Sequence, residues 1–195
     1  MSTQSIQSLF KSHNGYLTKK QLPDRSMYYQ LLQLVEEGIV ERVKAGVYYL
    51  EDAANNPGMI DVSRIVPGGV LCMYTAWAYY ELTVQIPQSF HVAIEKSRKL
   101  KLPAFPPITL YYWKKEYHEL GVIERKVDGY KLKIYDLEKS VCDAVKFRMK
   151  IGMDVMSEVL KNYLKRKDRN LTRLMGYAKK MRLEKVLKTY FEVQL

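Results

Sequence analysis

The stretch LVEEGIVERVKAGVYYL, from Leu34 to Leu50, constrains the fold more than any other part of the chain. It reads as the end of a helix, a glycine stop and two short strands. Upstream, Tyr28, Leu31, Leu32 and Val35 fall at i, i+3, i+4 and i+7, the apolar stripe of an amphipathic helix. Asp24 or Ser26 caps its start, and it runs to about Glu37, where Gly38 ends it. Val40 to Val43 and Val47 to Leu50 then form a hairpin around Lys44-Ala45-Gly46, with Gly46 free to take positive φ. Earlier, Ile6, Leu9, Phe10 and His13 repeat at helical spacing, which predicts a helix over residues 3–13. NGYLT reads as a turn, and Thr18 as the N-cap of a short second helix, Lys19 to Leu22, cut off by Pro23.

Three short helices followed by a two-stranded hairpin predict a winged helix-turn-helix over residues 1–52. Such a unit places its third helix in the major groove of DNA and its hairpin along the neighbouring backbone or minor groove. Arg25, Ser26, Tyr29, Gln30 and Gln33 fall mainly off the apolar stripe and can reach base edges or phosphates. Arginine pairs bidentately with guanine, and glutamine with adenine. Arg42 and Lys44, two apart on a strand, are expected to point the same way, towards phosphate. Thr18, Lys19 and Lys20 place donors and charge at the start of the second helix, against the DNA backbone. Winged helices also dock proteins. This third helix is poor in arginine and ends in Glu36-Glu37, so a purely protein-docking use stays open.

The charge is unevenly spread. The 195 residues carry a net charge of +11 and are 47% hydrophobic, enough for a packed core and against disorder. Residues 1–50 hold 6 basic and 4 acidic side chains, residues 51–140 hold 12 and 11, and residues 141–195 hold 14 and 6. Most of the excess therefore lies in the last quarter. A basic chain suits a polyanion such as nucleic acid, or an anionic membrane surface. The start MSTQSIQSLFKSHN has no charged segment followed by an apolar run, so no signal peptide is expected. No apolar stretch approaches the length that spans a bilayer, and no membrane partner is expected. Cys72 and Cys142 lie far apart among apolar neighbours and read as buried free thiols in a reducing cytosol. There is no CxxC or Cys/His ligand spacing, so neither metal nor other cofactor is expected.

EDAANNPG, residues 51–58, suits a linker. Beyond it, residues 58–195 predict an α+β domain, a small mixed sheet followed by a helical bundle. A helix is expected around Tyr74 to Leu82, and FHVAIEKS, PPITLYYW, GVIERKV and YKLKIYD read as strands, with Asp128-Gly129 as a hairpin turn. From Leu137 onwards the pattern is helical, with one stripe through Val155, Met156, Val159, Leu160, Tyr163 and Leu164 and another through Leu171, Leu174, Met175 and Ala178. Opposite the second stripe, Arg173, Tyr177 and Lys180 share a face, and KRKDR adds Lys165, Arg166 and two further cations. An aromatic among cations suits phosphate contact; a solvated face or an acidic protein partner would use the same residues.

No enzyme is expected. GxxxxGK[ST], HExxH, GxSxG and GxGxxG are absent, and His13, His91 and His118 are scattered. Glu124-Arg125-Lys126 on a strand, with Asp61 as a partner, imitates the Glu-x-Lys of some metal-dependent nucleases and is the remote alternative.

Over nearly its whole length the chain resembles the AbiEi-like antitoxins, transcriptional regulators of bacterial abortive-infection (type IV) toxin–antitoxin systems. The resemblance rests on GYLTKKQL, LLQLVEEGIVERVKAGVYYL, YTAWAYYELT followed by FHVAI, DLEKSVCDAVKFR, and LKNYLKRKDRNLTRLMGYAKKMRLEKVLKTYFE, in that order. Lys139 departs from the arginine common in the family motif, at a site expected to be structural. The resemblance implies a winged-helix domain joined to a larger C-terminal antitoxin domain in a cytoplasmic phage-defence repressor. It would bind inverted repeats of double-stranded operator DNA in its own promoter and counteract a nucleotidyltransferase-type toxin. Neutralisation without a stable complex and direct toxin binding are both open, as is self-association on DNA. Arg25, Ser26, Tyr29, Gln30 and Gln33 become the recognition positions, and Arg42 and Lys44 the wing.

Overall fold

The computed structural model describes residues 6–51, 62–103, 106–127 and 130–194. The expected linker lies, apart from Glu51, outside them, as do Asp61 and the Asp128-Gly129 turn. The chain is mixed α+β, with two sheets of three and five strands among the described residues.

The first part runs α1 (Ile6–Ser12), β1 (Tyr16–Thr18), a 3-10 turn (Lys19–Gln21), α2 (Arg25–Glu36), β2 (Glu41–Lys44) and β3 (Val47–Tyr49). Of the two candidate caps for α2, Asp24 is the one used, its carboxylate accepting from Met27 N at 2.8 Å. Two expectations are corrected. Tyr16–Thr18, read as part of a turn, is a strand antiparallel to β3, too short to show a two-residue period. The expected second helix shrinks to the 3-10 turn. Gln21 Oε1 draws it in, accepting from Thr18 N at 2.7 Å and Thr18 Oγ1 at 2.8 Å.

In the three-stranded sheet, ordered β1-β3-β2, the central strand β3 is buried on both faces. Successive side chains of a strand point to opposite sides. Leu17 and Tyr48 pack with Phe10, Met27 and Leu31 of the helices. Tyr16, Val43, Val47 and Tyr49 face the other way, into a cluster shared with the rest of the chain. The expected domains 1–52 and 58–195 therefore meet through a common core.

That cluster includes Val62 and Ile65 of α3 (Val62–Ile65), Leu71 of β4 (Val70–Leu71), Ala76 of α4 (Met73–Tyr79), Val92 and Ile94 of β5 (Phe90–Glu95), and, further along the chain, Leu132 and Ile134. Beyond β5 come β6 (Ile108–Trp113), α5 (Lys115–His118), β7 (Val122–Val127) and β8 (Tyr130–Tyr135). The strands order as β6-β5-β4-β8-β7, with β5–β6 and β4–β8 parallel and β4–β5 and β7–β8 antiparallel. The alternate face of this sheet, through Val70, Ala93, Trp113 and Tyr135, lies under the helices α6 (Leu137–Ile151), α7 (Met153–Lys165), α8 (Leu171–Lys180) and α9 (Glu184–Gln194). Both cysteines are buried and unpaired with each other.

The first turns of α6 gather the bundle. Asp136 caps the helix through Lys139 N at 2.8 Å. Glu138, almost fully buried, accepts from Asn170 N at 2.9 Å. Lys139 and Asp143, one turn apart and both with 0% of the side chain exposed, pair at 2.6 Å. The Lys139 ammonium sits 4.4 Å from the centroid of Trp113 and 3.9 Å from that of Tyr135. Gly121, at φ +70°, is required here because a Cβ would come within 2.7 Å of Lys139 Cβ. The expected structural role of Lys139 is the one it has. Burial pushes the Asp143 carboxyl up to about 6, with Lys139 opposing the rise.

Lys139→Met strands a buried carboxylate and is expected to cost about 3–5 kcal/mol, whereas Lys139→Met with Asp143→Leu should recover most of that loss; urea midpoints of the three variants check it. His91, stacked on Tyr111 with Nδ1 3.0 Å from its hydroxyl, is pushed down from 6.5 to about 4 by burial. The unfolded chain takes up that proton first, so stability is complete above about 6.5 and falls as the pH drops towards 4. In His91→Gln the unfolding free energy from urea titration should vary less over that window than in the native chain, by up to about 3 kcal/mol.

Candidate nucleic-acid interface

Helix α2 exposes one continuous polar face, because its apolar residues Met27 and Leu31 turn into the core and Tyr28, Leu34 and Val35 flank them. Arg25, Ser26, Tyr29, Gln30 and Gln33 are all exposed, Tyr29 by 57%. The Arg25 guanidinium lies 5.7 Å from the Tyr29 ring centroid, one turn along the helix. Gln33 Nε2 donates to Glu37 Oε1 at 2.9 Å, so one of its donors is committed within the helix. Just before α2, Lys19 and Lys20 are exposed, and the Lys19 ammonium stands 4.6 Å from the Tyr28 ring centroid. Thr18 is half-buried, with its hydroxyl donating to Gln21.

The hairpin departs from expectation. The register breaks between Arg42 and Lys44, so the two do not act as neighbours on one strand face. Arg42 stays exposed. Lys44 turns inward, and its ammonium donates to the carbonyl oxygen of Arg64, with Ile65 O at 3.4 Å. These carbonyls end α3, where a cation is favoured by the unsatisfied acceptors. Burial lowers the Lys44 pKa accordingly. Lys44 is a bolt between the hairpin and α3, which removes it from the exposed set. Glu41 is pushed up by burial and by Glu51, so acidic groups adjoin Arg42 on the hairpin.

The C-terminal residues separate in the same way. Arg166 forks onto Asp168, Nε to Oδ1 at 2.8 Å and Nη2 to Oδ2 at 2.9 Å, while Nη1 donates to Tyr80 O at 2.7 Å. Arg173 stands 3.6 Å from the buried carboxylate of Glu138. Tyr177 is half-buried and donates to Asp136 Oδ2 at 2.8 Å, an acceptor that, with burial, raises its pKa. The expected aromatic-among-cations face is thus corrected at Tyr177, which braces α8 against the start of α6, while Arg173 reaches towards Glu138 and keeps 51% of its side chain exposed. Lys165 and Lys180 remain exposed. Lys167, Lys179 and Arg182 are exposed as well; charge alone did not distinguish them from their braced neighbours.

The Glu-x-Lys pair on β7 has Glu124 bound to Lys131 at 2.7 Å across the hairpin, both side chains largely exposed. Lys131 holds the Glu124 pKa below its ordinary value. Among the described residues no three His, Cys, Asp or Glu side chains gather as a metal site, and no helix is long and apolar enough to cross a membrane.

Removing the Arg166 fork should weaken the fold, because Tyr80 O and Asp168 lose a charged donor. Arg166→Ala is expected to cost about 1–3 kcal/mol, against less than about 0.5 kcal/mol for the exposed Lys165→Ala, as read from urea unfolding. No family model matches the chain, and no curated protein matches it.

Proposed function

We propose that this chain is a DNA-binding antitoxin and autorepressor of a toxin–antitoxin operon, with its first fifty residues acting as a winged helix-turn-helix. The observation that carries the reading is the exposed face of α2. It presents an arginine, a serine, a tyrosine and two glutamines, follows two exposed lysines, and lies in the same unit as the exposed Arg42. This is the donor and acceptor set that reads base edges, with cations placed for phosphates. The recognition positions are Arg25, Ser26, Tyr29, Gln30 and, through its remaining acceptor and donor, Gln33. Lys19, Lys20 and Arg42 supply backbone contacts. Exposed lysines of the C-terminal helices, Lys165 and Lys180 among them, supply the long-range attraction expected of a +11 chain.

The resemblance to AbiEi-like antitoxins supplies the operon context: inverted repeats in the chain's own promoter, a nucleotidyltransferase-type toxin, and a cytoplasmic setting. The C-terminal domain would carry the antitoxin activity. Glu36 and Glu37 at the end of α2, and the pairing of Arg166 and Arg173 with carboxylates, favour a second reading in which protein contact with the toxin matters more than DNA.

Fluorescence anisotropy against the DNA upstream of the gene and against scrambled DNA, over a range of salt, tests both. Preference for the upstream DNA with steep salt dependence is expected. Arg42→Ala should weaken binding to every sequence alike, whereas Arg25→Ala should also erode the preference, by about 1–3 kcal/mol. Weak and equal binding to both DNAs would leave the toxin as the partner.

A further inference from the structure

The even balance of residues 51–140, 12 basic against 11 acidic, conceals a local excess. Six of those 12 cations, Lys96, Arg98, Lys99, Lys101, Lys114 and Lys115, gather at one end of the five-stranded sheet. The first four stand within KSRKLK, which holds no acidic residue. The other two come later in the chain, and the topology returns them. Strands β5 and β6 are parallel with Glu95 opposite Trp113, and Lys96 N donates to Trp113 O at 2.7 Å. Both strands therefore release the chain on the same side of the sheet. Within the loop after β5, Leu100 and Leu102 pack against the core shared by the two sheets, while Lys99 and Lys101 are exposed. The alternation ties the loop down and leaves its cations outside. Among the described residues no carboxylate pairs with Lys96, Arg98, Lys99, Lys101 or Lys114, and Lys115 has only the exposed Glu119 at 3.9 Å. Glu95, Glu116 and Glu119 are the carboxylates of these segments, so the cations stay in excess.

Tyr112 stands just before the second pair of lysines, 52% exposed on β6, an edge strand of its sheet. Its neighbours Tyr111 and Trp113 turn towards the helices, each edge-on to Phe147 at 5.3 Å. Alternation along the strand sends Tyr112 the other way, where its ring has no aromatic partner among the described residues. An exposed ring beside unpaired cations is the combination that holds a single strand of nucleic acid, since cations track the phosphates and the ring stacks a base. A duplex suits the surface less well. It keeps its base faces inside its own stack, and the helix that begins here, α5, is one turn folded against β5 through His118 and Ala93 O rather than raised to enter a groove. A lipid surface suits it less well too, because the leucines among the lysines are turned inward and cannot insert.

We infer that this end of β5 and β6 binds a short single-stranded stretch of nucleic acid, with one base stacked on Tyr112 and the flanking phosphates held by Lys99, Lys101 and Lys114. The site uses no residue of α2 and does not rest on the operator reading.

Fluorescence anisotropy of the full chain against a labelled oligouridine, the matching oligothymidine, an abasic strand of equal length and the duplex upstream of the gene tests the site. The native chain should hold the base-bearing strands more tightly than the abasic one. Tyr112→Ala should weaken binding to the base-bearing strands by roughly 5- to 140-fold, and should leave the abasic strand and the duplex unaffected. Tyr112→Phe, which keeps a ring, should bind as the native chain does, with circular dichroism unchanged in both. Lys99→Gln with Lys101→Gln should flatten the salt slope on single strands by about 1.4. Tighter binding of oligouridine would identify the ligand as RNA, and of oligothymidine as DNA. Native affinity of Tyr112→Ala for base-bearing strands, an equal loss on the abasic strand, or binding to phosphatidylserine vesicles with none to oligonucleotides overturns the inference. A duplex bound without sequence preference, with the tyrosine effect intact, would remove the proposed operator and keep this site.

Discussion

The Lys139–Asp143 pair, sealed beneath Trp113 and Tyr135, is the constraint around which the larger part of the molecule is arranged. Two charges with no access to water demand close geometry from everything around them. Gly121 must be glycine for the chain to pass Lys139, and Asp136 must cap the helix that carries both charges. The same capping aspartate then receives Tyr177 from α8, and Glu138 receives Asn170 from its N-terminus. Polar groups at the start of α6 thus set where the C-terminal helices stop sliding, while apolar packing through Val141, Val159 and Leu174 supplies the bulk of the attraction.

Much of this was legible from periodicity. The strands β5 to β8 and the helices from Leu137 onwards announce themselves because their apolar residues recur over several turns or pleats. β1 did not, since three residues carry no period. The two-sided burial of β3 was present in the unbroken apolar run Val47 to Leu50, which alternation would have interrupted, but a hairpin reading of those residues does not ask what covers its outer face.

The candidate site shows a different limit. Whether a cation is available to a partner depends on what lies beside it, and those groups are remote in sequence. Lys44 finds its carbonyls 20 residues away, Tyr177 its carboxylate 41 away, and Arg166 its carbonyl 86 away. Arg25, Tyr29 and Gln30 were readable because a helix decides their exposure locally. Lys180 and Arg173, two turns apart on one helix, could not be told apart by charge, since only the buried carboxylate of Glu138 separates them.

The placement of the three-stranded sheet between two cores bears on how such a chain can change over evolution. Tyr16, Val47 and Tyr49 share a cluster with Leu71, Val92 and Ile134, so the first fifty residues are not a cassette that recombination can exchange for a different unit. A replacement would have to reproduce the outward face of that sheet as well as its own interior. On the solvent face of α2, by contrast, Arg25, Ser26, Tyr29, Gln30 and Gln33 are exposed and can change without disturbing either core, so variation of this first unit is channelled to its surface positions.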